Sequence, residues 1–365
     1  MTTSNFVKEG VFSYCDTGPP ASTHQYTTIF ILHGFAWHAG SFQRLAAYAD
    51  QAKARLILMN RQDYPAAELL GEEDLSLLSP ADPRDMAAAL ASLRTFMKRQ
   101  GNRLIDFVEL IIDKEKLPPP DGEYGGVIIA GWSFAGNWIN ALLTNVNTAH
   151  PGHSKLRRHL RRVIIYDLVY IFLGYAPPAG AYNPLQDDSL DPEKKTLIFA
   201  AWVSGYYNHG ESVTELEFKA PLASPAPTIL TMSEEDRQSV LHPMPGDAGG
   251  SDMKLFENGI RCGLYRTLKE DALYLKDGAS GATGGPTTDD SWRDIEVLYL
   301  WCDRSVWELP FGVRMFKKEL AKAKEGGKVM RNIKFSRMRG SNHFAHWDEP
   351  EKLLRKFLEP ADDLE

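Results

Sequence analysis

VIIAGWSFAGNWINALL, residues 127–143, is the stretch that decides how the rest of the chain is read. Its first half is a continuous apolar run, as a strand buried on both faces requires. A helix candidate, Gly136 to Asn147, starts directly after it. Between the two, Gly131-Trp132-Ser133-Phe134-Ala135-Gly136 must turn the chain sharply. Small residues are needed two positions before and two after the serine, because such a turn crowds its own backbone. Gly131 supplies the first. Ala135 stands where the commoner pattern has glycine, with Gly136 one step later, and its methyl group is small enough to pass. A turn of this kind lifts a serine hydroxyl above the sheet, with helix N–H groups aimed at developing negative charge. A serine that merely caps the helix would fit the same letters. The strand that precedes Ser133 favours the nucleophile.

Working outward, similar apolar runs recur at 27–34 (TTIFILHG), 54–60 (ARLILMN), 161–167 (RRVIIYD), 295–303 (IEVLYLWCD) and 331–340 (RNIKFSRMRG). Helical patterns separate them: Phe42 to Lys53, Pro83 to Lys114 (one long helix or two broken at Gly101-Asn102) and Val313 to Lys324. Strands alternating with helices predict an α/β fold, a mostly parallel doubly wound sheet with helices on both faces. The rhythm breaks over 168–290, which is rich in aromatics, prolines and glycines and ends in GASGATGGPTTDDS (278–291). Inserted between two core strands, it reads as a mainly helical cap over the sheet edge. The expected organisation is a core of 1–167 and 291–365 with a cap or lid of 168–290.

A serine hydroxyl needs a base, and the base an orienting acid. With Ser133 in its elbow, YLWCDRSVW (299–307) and RGSNHFAHWDEPEKLLRKFL (339–358) make the chain resemble the α/β-hydrolase superfamily, in particular its lidded esterases and lipases. The resemblance runs over the whole chain except the insert. It implies the chain order serine, acid, histidine, with the acid after a late strand and the histidine after the last. Asp303 is then the expected acid, His343 the base, and Glu349 to Leu358 the trailing helix. Asp167, which ends its own strand, is the alternative acid. His346 is expected as a pocket-wall or capping residue.

By the same resemblance, the His33-Gly34-Phe35-Ala36-Trp37-His38 turn supplies one N–H of an oxyanion hole and the residue after the serine the other. The expected donors are the backbone N–H groups of Phe35 and Phe134. Gly34 permits close approach of the backbone, and an ordinary strand-to-helix loop is the alternative. Phe35, Trp37, Trp132 and Phe134 suggest an apolar, aromatic substrate pocket, with Phe35 and Phe134 partly facing it. Asn60-Arg61-Gln62-Asp63-Tyr64-Pro65 reads as scaffold without chemistry.

The bulk properties set limits. A chain of 365 residues, 43% hydrophobic, with formal net charge −7, is an ordinary globular protein, and that sign disfavours nucleic acid as a partner. The basic group Arg157, Arg158, Arg161 and Arg162 reads as a solvated helix end. Cys15, Cys262 and Cys302 form no disulfide framework and have no metal-ligand spacing. The N-terminal residues carry no secretory pattern, and no apolar run suits a membrane span. The cytoplasm is the expected location. No phosphate loop, dinucleotide fingerprint or zinc motif is present, so no cofactor and no metal are expected. The expected activity is hydrolysis of a carboxylic ester of a moderately apolar small molecule through an acyl-enzyme on Ser133. A lactonase, an acyltransferase and a carbon–carbon bond hydrolase use the same triad, and a slow or non-catalytic ligand-binding receptor is the reading from another class.

Overall fold

The computed structural model describes residues 6–79, 82, 84–146, 154–275 and 292–361. The glycine-rich stretch 278–291 lies outside them. Eight strands form one sheet: β1 (Val7–Glu9), β2 (Phe12–Asp16), β3 (Thr27–Leu32), β4 (Ala54–Asn60), β5 (Val127–Trp132), β6 (Leu160–Tyr166), β7 (Glu296–Cys302) and β8 (Asn332–Met338). Their spatial order is β1-β2-β4-β3-β5-β6-β7-β8. The block from β4 to β8 is parallel throughout, while β2 joins β4, and β1 joins β2, in antiparallel fashion. This is the α/β-hydrolase fold. All six apolar runs form strands. β1 and β2 have no counterpart in the sequence reading, since they are three and five residues long and mixed in composition.

The period of two explains why the central strands are apolar throughout. Ile29 and Ile31 of β3 pack on one face with Leu56, Leu58, Ile128 and Ala130. Phe30 and Leu32 pack on the other with Ile57, Met59, Val127 and Ile129. Each such side chain removed from water contributes about 1.5–3 kcal/mol. Helices cover both faces. Met86–Glu115 runs unbroken through Gly101. A Cβ at that position would lie 2.4 Å from Asn145 Nδ2 and 2.7 Å from the Ala141 backbone. Gly101 is thus a contact point with the helix Gly136–Val146, not a break. The helix expected to begin at Val313 begins at Glu308. Pro310 is tolerated there because first-turn N–H groups have no intrahelical partner. The expected helix at 42–53 is instead a 3-10 helix, Ala39–Tyr48, capped by His38 Nδ1, which accepts from Gly40 N at 3.1 Å. Burial pushes the His38 pKa down to about 4, which keeps that nitrogen an acceptor.

The segment between β6 and β7 shares the core clusters of the sheet. Trp202, Val203, Tyr207 and Ile229 join one face. Leu264, Tyr265, Leu268 and Leu273, from the helix Leu264–Leu273, join the other, where that helix packs on the helix Gly136–Val146. Among the described residues no helix is long and apolar enough to cross a membrane.

Candidate active site

The turn after β5 places Ser133 in the left-handed region, at φ 53°. A residue with a side chain holds that conformation only where its surroundings enforce it, at a cost of about 1–3 kcal/mol. The enforcement is visible two positions away. A Cβ on Gly131 would stand 2.5 Å from the Ala135 carbonyl oxygen and 2.8 Å from Ile139 Cγ1. The turn is therefore closed by contact between its two small residues, and the alanine at 135 is accommodated because its carbonyl, not its methyl, meets Gly131.

His343 follows β8 and is 3% exposed. Its carbonyl accepts from the Trp132 indole N–H at 3.1 Å, so the residue before the serine holds the histidine backbone. Its Nδ1 lies 2.7 Å from Asp167 Oδ2. A carboxylate there keeps the proton on Nδ1 and leaves Nε2 as the basic nitrogen. Ser133 and His343 line the same cavity. Their side chains are not hydrogen-bonded in this conformation, and such contacts are often long until substrate binds.

The expectation that Asp303 orients His343 is corrected by this geometry. Asp303 accepts from Arg337 Nε at 2.9 Å and from Gly340 N at 2.7 Å. Its carboxylate is spent on the turn that leads to His343, not on the imidazole. Asp167, at the end of β6 and fully buried, takes the place beside the imidazole. Its Oδ1 accepts from Cys302 N at 2.9 Å, and its Oδ2 also accepts from Ser305 Oγ at 2.7 Å. Both aspartates end apolar strands, so the letters alone do not separate them. His346 also departs from expectation. It is buried in the core, its ring 4.3 Å from Trp132 and 4.9 Å from Phe42, and does not line the cavity. Burial holds its pKa far below the usual value, so it is neutral.

Gly34 backs directly onto the serine, since a Cβ there would lie 3.1 Å from Ser133 Cβ. The turn it belongs to is clamped by residues of the segment read from sequence as scaffold. Arg61 Nη2 donates to Gly34 O at 3.0 Å, and Arg61 N donates to His33 Nε2 at 3.2 Å. Nδ1 of His33 then carries the proton and donates to Gly34 O at 2.9 Å. Burial first, and Arg61 second, keep His33 neutral. Arg61 in turn forms a buried bidentate pair with Asp252 of the insert, at 2.7 and 2.8 Å. Tyr64 OH donates to Asp252 at 2.7 Å and accepts from Ala36 N at 3.1 Å. The helix Ser251–Cys262 is thereby tied to the loop 33–36. The sign of this in the sequence was an arginine and a tyrosine within four residues after a strand; the partner, 191 residues away, had no local signal.

Breaking one side of a buried ion pair strands the other charge, at a cost of about 3–5 kcal/mol. Asp252→Ala is expected to lose about that much in urea unfolding. The double variant Arg61→Met/Asp252→Leu should lose clearly less, because no charge is left buried.

The cavity measures about 370 Å³, within the range of small-molecule sites. Phe35, Trp37, Trp132, Tyr170, Phe256 and Trp307 contribute aromatic wall. Phe134 does not reach it: its ring is fully buried, packed against Phe35 and Phe172, with the Arg61 guanidinium 5.5 Å away. A more open cleft of about 460 Å³ lies at the opposite end of the strands, lined by Tyr48, Arg161 and Arg162 among others, and contains neither the serine nor the histidine. Arg161 there donates to the carbonyls of Gly122 and Tyr124, so that part of the basic group is structural.

No protein-family model matches the chain, and no curated protein matches it in sequence. Solved structures align along nearly its whole length. The epoxide hydrolase VrEH1 from Vigna radiata is 12% identical, with 98% of each chain covered and a TM-score of 0.43. The thioesterase domain from the curacin biosynthetic pathway is 13% identical, with 97% of each chain covered and a TM-score of 0.41. A bromoperoxidase from Bacillus anthracis is 12% identical, covering 96% of this chain and 95% of its own, with a TM-score of 0.40. At these values the likeness adds nothing to what the strand order already states.

Proposed function

We propose that the protein is a serine hydrolase that cleaves a carboxylic ester of a moderately apolar small molecule. The observation that carries this reading is the buried His343–Asp167 pair, 2.7 Å apart, opening on the same aromatic cavity as a serine held at φ 53°. Ser133 Oγ attacks the ester carbonyl while His343 Nε2 takes its proton. Asp167 holds the imidazole in the required tautomer and balances the imidazolium. The N–H groups of Phe35 and Phe134 receive the oxyanion, and the clamp on the 33–36 turn keeps the first of them in place. His343 returns the proton to the leaving alkoxide, and water then releases the acid from Ser133. Three free cysteines suit a reducing compartment, and the cytoplasm is the proposed location.

The test is covalent labelling by a fluorophosphonate, read by intact mass on wild type and on Ser133→Ala. One adduct on the wild type, absent from the variant, is the expected result. Folded wild-type protein that takes no adduct would overturn the proposal and favour a ligand-binding receptor.

A further inference from the structure

Among the described residues, Asp74, Asp167, Asp252 and Glu308 are the buried carboxylates. Asp74 pairs with Arg99 and Arg103, Asp167 with His343, and Asp252 with Arg61. Among the described residues, Glu308 alone of these four has no cationic partner. It is 9% exposed, and what it is exposed to is the cavity that holds Ser133. It is the only acidic or basic side chain lining that cavity besides His343. Its one hydrogen bond is a long one, from Asn183 Nδ2 to Oε1 at 3.3 Å. The groups that feel its charge are the phenols of Tyr170 and Tyr207, both kept neutral chiefly by their own burial. Lys219 lies 4.7 Å from the Tyr182 ring but makes no ion pair with Glu308.

Aromatic rings line the cavity that this carboxyl shares. Tyr170 and Trp307 lie 5.1 Å apart with planes inclined by 33°, and Tyr182 and Phe199 line the same cavity. Ring faces attract cations, most strongly where water is excluded. A buried carboxylate left without a counter-charge is unfavourable unless a partner arrives. Unpaired, such a carboxyl sheds its charge by taking up a proton; a bound cation lets it stay ionised, which a neutral hydroxyl does not.

We infer that Glu308, with the rings of Tyr170, Trp307 and Tyr182, forms a subsite for a cationic nitrogen, so that the substrate is an ester carrying an ammonium group. The inference rests on the reading of this cavity as the ester site, and names the class of substrate it takes. Burial pushes the Glu308 pKa up to about 7. A bound cation favours the ionised carboxylate, so affinity for a cation rises as pH climbs from 6 to 8 and levels off above the free-state value.

The experiment is calorimetric binding of choline and of its neutral isostere, 3,3-dimethylbutan-1-ol, to wild type and to Glu308→Gln. Cation–ring and ion-pair attraction together predict a preference for choline of about tenfold or more on wild type at pH 8. Glu308→Gln should abolish most of that preference. On wild type, choline affinity should rise several-fold between pH 6 and pH 8, with the isostere unchanged. Equal affinity for the two probes, or a preference that survives in Glu308→Gln, overturns the inference. If that variant does not fold, a choline affinity flat with pH on wild type overturns it equally. Binding needs no turnover, so an unreactive Ser133 would refute the hydrolase reading without touching this result.

Discussion

Ser133→Ala is expected to lower kcat toward an activated ester by roughly three to six orders of magnitude, with the unfolding midpoint close to that of wild type. The variant removes one oxygen at a position whose backbone is held by Gly131 and Ala135, so the turn persists without the hydroxyl. What remains is transition-state binding by the oxyanion N–H groups and the cavity. His343→Ala should fall to a similar level, and the double variant should fall little further, because serine and base act as one unit. Steady-state kinetics on the three variants checks this. A Ser133→Ala enzyme within tenfold of wild type would place the nucleophile elsewhere.

Asp167→Asn is expected to lower kcat by about three to four orders of magnitude. An amide has one acceptor oxygen where the carboxylate has two. In the native protein those two oxygens serve Cys302 N, Ser305 Oγ and His343 Nδ1. If the asparagine oxygen stays on Cys302 N, its NH2 group faces the imidazole and selects the wrong tautomer. Asp303→Asn meets a different situation. Its ion pair with Arg337 is weakened, while the new side-chain oxygen still accepts from Gly340 N. Its activity should stay within about tenfold of wild type, with a stability loss of about 1–2 kcal/mol, since both partners of the pair retain some exposure. Kinetics and urea unfolding on the two variants, side by side, decide the matter. Loss of activity in Asp303→Asn with Asp167→Asn nearly silent would return the acid to Asp303.

Much of this molecule was legible in its letters, and for a physical reason. A strand buried on both faces has to be mostly apolar, so β3 to β7 announce themselves. A strand-to-helix turn around Ser133 tolerates only small residues two positions away, so Gly131 and Ala135 mark it. A histidine just after the last strand arrives at the same sheet edge as the serine, because parallel strands end together. These are local constraints, and sequence by itself determined the α/β class and the parallel sheet, and marked Ser133 and His343, which line one cavity.

Tertiary structure decided the rest. Asp167 and Asp303 both follow apolar strands; only the packing of β6 beside β5, and of the Gly340 turn beside β7, shows which carboxylate meets the imidazole and which meets a backbone N–H. Arg61 and Asp252 lie far apart in the chain, and neither has a local pattern that names the other. Glu308 looks like an ordinary first-turn helix acid, which a helix N-terminus favours anyway. Its burial without a counter-charge exists only once the insert has closed a cavity around it. Local sequence carries the period and the turn, but which charges share a dry space depends on surfaces brought together from distant parts of the chain.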